Sequence, residues 1–485
     1  MKKKTLLSFI LALTVAVGAI GTPLSVMAAG EKESPENMPL HVNGKTYICK
    51  TLNVTYDNNA YVSIRDIAYA LSGSDKQFDV SVGNEVRIET GVPYVGRGCE
   101  NTSFDEEVME PDFNYKFNLK TTPMFIDNRE IKRYILVGSV FDGVYDCFIS
   151  VPDLAITLDC DMKIENDELY IETGKEFKVD PEALMDDEFF MATKSCLLGD
   201  VTTGKIIYEY DGDETVLIAS TSKLMTYLLV MDAVSEGKIG MNDEVIISRE
   251  VSKLSYGEDG VIELEEGLET NVPELLKGML LASSNECAKA LAEHVAGSEE
   301  AFVKMMNDKA KSLGLSESTR FYNSNGLPTY TDEAVASKRQ NRSTAEDMYK
   351  LVKYILAVYP QVTDITSLKE ASLPSMEFVA KNTNPLLYNV DGAVGLKTGT
   401  TNGAMCCLIT AKKVDCSDGE HMLVSLVFGS ESYVIRGLTS ELLLDYGTDY
   451  LRDNVTETSK DSTIPSNAED LVKSVIKVAE KINKE

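Results

Sequence analysis

Two stretches of this chain repeat each other at a constant offset. Tyr61–Leu71 (YVSIRDIAYAL) and Phe148–Leu158 (FISVPDLAITL) align so that Ser63 and Ser150, Asp66 and Asp153, and Leu71 and Leu158 each stand 87 residues apart. Each stretch is followed by a strand-like run ending Ile-Glu-Thr-Gly, at Gly91 and at Gly174. Fixed offsets at several positions mark a duplicated unit. In each copy a Ser or Asp is placed to cap a short helix whose apolar residues recur at helical spacing. Hairpin-like pieces, Val42-Asn43-Gly44 and Ile126-Asp127-Asn128, precede the two copies. Residues 39–178 are therefore expected to form a small β-rich module built twice.

The rest of the chain reads differently. Residues 1–29 carry Lys2, Lys3 and Lys4, an apolar run from Leu6 to about Ile20, and small residues around Ala28. That order is a secretory signal peptide and predicts an exported, extracellular or envelope-associated protein. After an acidic connector, residues 187–453 begin with strand-like runs (Ser195–Leu198, Lys205–Tyr210). Helical stretches follow, and two more strand-like runs (Met405–Lys412, Met422–Gly429) precede a helix over Ser440–Leu451. Strands at both ends with helices between predict an α+β sheet whose first and last pieces pair. Residues 454–466 read as a polar linker. A capping box at Ser466–Glu469 opens an amphipathic helix over 467–484, predicted to dock on protein, with peripheral contact to membrane or wall as the other reading.

Composition excludes whole classes. Lys and Arg number 47 against 77 Asp and Glu, a net charge of −30, which repels nucleic acid and anionic lipid at long range. No nucleic-acid partner is expected. The nine Cys have no CxxC spacing and no HExxH is present, so neither a metal nor a cofactor is expected. With three His and no GxSxG elbow, a serine hydrolase here needs a base other than His.

Three short elements offer that chemistry. Ser220 and Lys223 are three apart at the start of a helix predicted over Thr221–Ala233, so they share a face, and backbone N–H groups there favour a developing oxyanion. A partly desolvated Lys beside another cation can accept the Ser proton. Ser283-Ser284-Asn285 falls between two helical runs and presents a hydroxyl and an amide to a cleft, or simply caps the second helix. Lys397-Thr398-Gly399-Thr400 precedes a strand; a Gly on an edge strand lets a ligand backbone approach and pair.

In this order Ser-x-x-Lys, Ser-x-Asn and Lys-Thr-Gly resemble the signature set of penicillin-binding proteins and class A β-lactamases. The wider text from about Met191 to Arg452 is similar to the serine D-alanyl-D-alanine carboxypeptidases, the low-molecular-mass penicillin-binding proteins. It includes ELLKGMLLASSNECAKALAEHVAGS, FYNSNGLP and GLKTGTT. The resemblance implies the β-lactamase/penicillin-binding-protein-like transpeptidase fold. It implies Ser220 as nucleophile, Lys223 as base, and Ser283 as a proton relay bridged between Lys223 and Lys397. Asn285, Lys397, Thr398, Gly399 and Thr400 become substrate-binding residues, with the N–H groups of Ser220 and Thr400 as oxyanion hole. The implied partners are a peptidoglycan stem peptide ending in D-Ala-D-Ala, and β-lactam antibiotics as covalent inhibitors. The family often carries an Asp shortly before Lys-Thr-Gly; here the nearest acid is Asp391. The duplicated module resembles the copper amine oxidase N-terminal-like envelope domain, although its one His (His41) offers no copper site; a spacer or binding role is expected, separable from the catalytic part. Two other functions stay open. A class A-like β-lactamase would need a deacylating Glu, which Arg320–Pro328 lacks. A non-catalytic envelope binding protein would not need all three motifs.

Overall fold

The computed structural model describes residues 36–53, 60–83, 85–95, 117–120, 123–133, 135–140, 144–178, 193–257, 260–331 and 334–454. The expected signal peptide and C-terminal helix, and all of the linker but Asn454, lie outside these residues.

The duplicated region forms two sheets. Its elements are β1 (Glu36–Val42), β2 (Lys45–Asn53), β3 (Ala60–Ser63), α1 (Ile64–Leu71), β4 (Phe78–Val82), β5 (Val86–Thr90) and β6 (Phe117–Lys120). They continue with β7 (Met124–Ile126), β8 (Arg129–Ile131), β9 (Ile135–Val140), β10 (Val144–Ser150), α2 (Val151–Leu158), β11 (Asp161–Glu165) and β12 (Glu168–Glu172). Asn43-Gly44 and Asp127-Asn128 have positive φ at both positions (49° and 80°; 49° and 67°), the backbone that two-residue hairpin turns require. Ser63 accepts from Asp66 N and Ser150 from Asp153 N, so the two helices start with the same cap.

The copies are interlocked. The β1–β2 hairpin pairs in parallel with β12 of the other copy, Leu40 opposite Leu169. The β7–β8 hairpin pairs in parallel with β5, Val86 opposite Met124. Equivalent strands β3 and β10 pair antiparallel with each other, Ser63 opposite Phe148 and Tyr61 opposite Ser150, about a local two-fold at Val62 and Ile149. Each copy thus supplies the hairpin that completes the other's sheet. Ile64, Ile67, Leu71, Ile149, Leu154 and Leu158 fill one shared core.

In the second region β13 (Ser195–Asp200) and β14 (Lys205–Tyr210) join three later strands, β15 (Ala393–Thr401), β16 (Met405–Cys416) and β17 (Gly419–Ser430). The sheet order is β14-β13-β17-β16-β15, with β13 antiparallel to β17, so the first and last strands pair as expected. Helices lie between them in sequence, among them α3 (Lys223–Ser235), α4 (Val272–Leu281), α5 (Asn285–Ala296), α6 (Glu299–Ser312), α7 (Ala345–Val358) and α8 (Leu386–Asn389). The last helix, α9 (Tyr433–Asn454), is longer than the expected Ser440–Leu451 and packs on β16 and β17. Its early residues were obscured by Arg436 and Thr439, polar groups that the fold nevertheless buries. The whole is the expected α+β class. No helix among the described residues is long and apolar enough to cross a membrane.

The two regions are not separate beads. Arg133, 5% exposed, reaches Glu441 with both terminal nitrogens and lies 3.2 Å from Asp153. Lys132 N donates to Asn389 Oδ1 at 2.7 Å, and Asn389 Nδ2 returns to Lys132 O at 2.8 Å. Ile156 and Phe177 pack against a core that includes Leu386, Val390 and Leu442. Arg133→Met should leave Glu441 buried without its cation, a loss of about 3–5 kcal/mol. Urea unfolding of the full chain checks this, and Arg133→Met combined with Glu441→Leu should recover most of the loss.

Candidate functional site

Ser220 sits in a 3-10 turn, Ala219–Ser222, and α3 begins only at Lys223. The expected helix start at Thr221 is therefore wound more tightly than an α-helix. Ala219 is left-handed (φ 44°) and puts Ser220 against two glycines. Gly326 has φ 92°, and a Cβ there would lie 2.1 Å from Ala219 O. A Cβ on Gly399 would lie 3.0 Å from Ser220 N. Only backbone fits on these two sides of the serine.

Lys223 is wholly buried. Its Nζ lies 2.8 Å from Ser220 Oγ, 2.8 Å from Asn285 Oδ1 and 2.7 Å from Asn325 O. Burial pushes this amine down to about 7; the Glu286 carboxylate pulls the other way but does not offset it. The partners fix its chemistry. Two of them are carbonyl oxygens, which can only accept. A neutral amine has two N–H groups and one lone pair, so both N–H groups are engaged and the lone pair is left facing the Ser220 hydroxyl.

The Ser-x-Asn element is a helix junction. Ser284 caps α5 by accepting from Cys287 N, and its hydroxyl donates to Glu286. That cap sets Asn285 as the first helical residue, with its side chain on Lys223. The capping reading thus holds through Ser284, and the Asn285 amide is turned to Lys223. Ser283 is half-buried and left-handed (φ 62°). The relay expected of it is not formed as a hydrogen bond: Lys223 Nζ is engaged by Ser220, Asn285 and Asn325, and Lys397 Nζ donates to Thr398 O at 2.9 Å.

Lys397, Thr398, Gly399 and Thr400 lie within β15 rather than ahead of a strand, opposite Ile409, Leu408, Cys407 and Cys406. The strand is longer than its apolar residues suggest because its polar members are buried. Lys397 is 1% exposed and Thr398 5%, whereas Thr400 is exposed. β15 is the edge of its sheet, open on one side. Burial holds the Lys397 amine well below its usual value; a proton on Lys223 and the Arg436 guanidinium lower it further. Thr398 Oγ1 meets Thr383 Oγ1 at 2.5 Å. Asp391, the nearest acid before Lys397, is turned away to Arg129 of the duplicated module at 2.8 Å.

Sequence reasoning assigned no role to Asn325, Gly326, Glu286, Thr383 or Arg436. The Asn-Gly pair of FYNSNGLP was the available signal, since a Gly after Asn marks backbone that a side chain cannot occupy. Arg436 and Thr383 carried none, being single residues far from the motifs.

Comparison with known proteins gives a consistent set. The sequence profile of the D-alanyl-D-alanine carboxypeptidase family matches residues 183–432. D-alanyl-D-alanine carboxypeptidase DacF of Bacillus subtilis is 37% identical over 52% of this chain and 61% of its own length. DacC of Escherichia coli is 32% identical over 56% of this chain and 64% of its own. The chain thus spans about three-fifths of the length of these curated relatives. Among solved structures, a peptidoglycan synthesis regulatory factor (PBP3) from Streptococcus pneumoniae is 29% identical, covers 53% of this chain and 72% of its own, and has a TM-score of 0.49.

Gly326→Ala should push the Ala219–Ser220 backbone away from residue 326. Covalent labelling by a fluorescent penicillin, measured at equal folded fraction by circular dichroism, should slow about a hundredfold, the scale expected when a reacting group is displaced by roughly 1 Å.

Proposed function

Because this chain belongs to the D-alanyl-D-alanine carboxypeptidase family, we propose that it is a serine D-alanyl-D-alanine carboxypeptidase that trims peptidoglycan stem peptides. Ser220 Oγ attacks the carbonyl carbon of the penultimate D-Ala while its proton passes to Lys223 Nζ. The N–H groups of Ser220 and Thr400 stabilise the oxyanion. The C–N bond breaks, the terminal D-Ala leaves with a proton delivered through Ser283, and an ester remains on Ser220. Water then attacks the ester, releasing the shortened peptide and restoring the serine.

Asn285 holds a substrate amide. The substrate carboxylate docks against Lys397 and Thr398, and its negative charge favours the protonated form of Lys397 that burial disfavours. The substrate backbone lies along the open side of β15, with Gly399 allowing close approach. β-Lactams acylate the same serine. The reaction as drawn uses no cofactor. The N-terminal lysines and apolar run support an exported protein of the cell envelope. The duplicated region is a spacer or binding module of the copper amine oxidase N-terminal-like kind, without copper. The observation that carries the reading is Lys223: a buried amine with both N–H groups held by carbonyls and its remaining valence at Ser220, 2.8 Å away.

Incubation with a fluorescent penicillin discriminates among the alternatives. A lasting label on Ser220 supports the carboxypeptidase; rapid turnover would instead indicate a β-lactamase, and no label a non-catalytic binding protein. Ser220→Ala should abolish both labelling and D-Ala release from a pentapeptide ending in D-Ala-D-Ala. Retained D-Ala release by that variant would refute the assignment.

The pH dependence follows from Lys223. The base must be neutral, and its pKa lies near 7. The second-order acylation constant should therefore fall about tenfold per unit below pH 7 and level off above it. An acylation constant that does not change as pH falls through 7 would show that the amine is not the base.

A further inference from the structure

At the far end of β16 and β17 the hairpin turn brings together three groups that the reaction does not use. Cys416 Sγ, an Asp418 carboxylate oxygen and a His421 ring nitrogen all lie within 4.8 Å of one another. They come from the turn Cys416-Ser417-Asp418-Gly419 and the start of β17. Along β16 the position of Cys416 is seven residues beyond Ile409, which faces Lys397. At 3.3 Å per residue that is about 23 Å from the Lys-Thr-Gly element.

The imidazole is already oriented. His421 Nε2 lies 3.0 Å from Asp418 Oδ1, and Nδ1 lies 2.9 Å from Asp200 Oδ2. Asp200 is fixed in turn: Thr202 N donates to its Oδ1 at 3.0 Å, and Thr203 Oγ1 donates to its Oδ2 at 2.6 Å. A carboxylate held this way accepts the Nδ1–H, and Nε2, facing the Asp418 carboxylate and Cys416, carries a hydrogen that a metal ion can replace. That carboxylate–histidine relay is the outer shell that zinc-ligating histidines characteristically have. The Asp418 side chain is half exposed, so it can swing to close the set, whereas His421 is 6% exposed and held.

We propose that this turn binds one zinc ion through Cys416 Sγ, an Asp418 oxygen and His421 Nε2, with solvent as the fourth ligand. Thiolate, imidazole and carboxylate together suit a borderline-soft divalent ion in tetrahedral geometry. Zinc–ligand bonds of roughly 2.0–2.3 Å put neighbouring ligands about 3.3–3.8 Å apart. The present separations, all within 4.8 Å, must adjust to reach this. On binding, the Cys416 thiol and His421 Nε2 each lose a proton to solvent, and zinc takes the place of the proton between Nε2 and Asp418. The ion would pin the β16–β17 turn to the β13–β14 turn through Asp200, and so act on the sheet rather than on the reaction.

The full chain, stripped of metal by a chelator and kept reduced with a thiol-free reductant, is titrated with zinc by calorimetry and with cobalt by absorption. We expect one strong site, a sulfur-to-cobalt charge-transfer band, and affinity at least tenfold weaker in Cys416→Ser and in Asp418→Asn. Asp200→Asn should weaken binding ten- to a hundredfold. Penicillin labelling should be unchanged in Cys416→Ser. The proposal is overturned if zinc does not bind, which would leave His421 as an imidazolium paired with two carboxylates. It is equally overturned if Cys416→Ser binds zinc as tightly as the parent, or if cobalt binds without the sulfur band.

Discussion

A primary amine sealed from water governs the catalytic half of this protein. Lys223 can be buried only because its hydrogens find carbonyl oxygens, from Asn285 on one side and from the Asn325 backbone on the other. Those partners belong to a helix start and to a loop, so the cap at Ser284 and the tight turn at Gly326 are conditions for the amine to be there at all. The same burial lowers its proton affinity toward neutrality. Desolvation, which costs stability, is what gives this lysine the proton affinity that the proposed base requires.

The strand that carries Lys397 is held from two directions. Asn384 holds Gly395 O at 3.0 Å from inside the catalytic region. From outside, the duplicated module grips the segment just before it, through Lys132 on Asn389 and Arg129 on Asp391. An acid just ahead of the Lys-Thr-Gly element is thereby committed to a contact between regions rather than to the cleft. The module expected to be separable thus contacts the segment that leads into the edge strand of the second sheet.

Patterns that depend on neighbours in sequence were legible before any coordinates. The 87-residue offset announced two equivalent units, and the capping serines at 63 and 150 stand where they were expected. The strands at the two ends of the catalytic region do pair. What escaped was whatever depends on distant chain segments meeting. Nothing in a local window says that the Asn325 carbonyl will face an amine from residue 223, or that Arg436 will stand behind Lys397. The Lys-Thr-Gly strand was misplaced by a few residues because its buried members are polar, which inverts the usual link between apolar runs and strands. Ser283 is a related case: the spacing placed the residue at the junction, but it could not say that Lys223 and Lys397 would there bond to other atoms.

The interlocked halves of the duplicated region restrict how such a chain can change. A single half, standing alone, would expose the outer edge of its last strand and have no hairpin of its own to cover it. Its nearest remedy would be another identical half, so the unit of independent existence is the pair. Sequence can therefore be gained or lost here only in whole pairs, and a break between the halves would open two adhesive sheet borders at once.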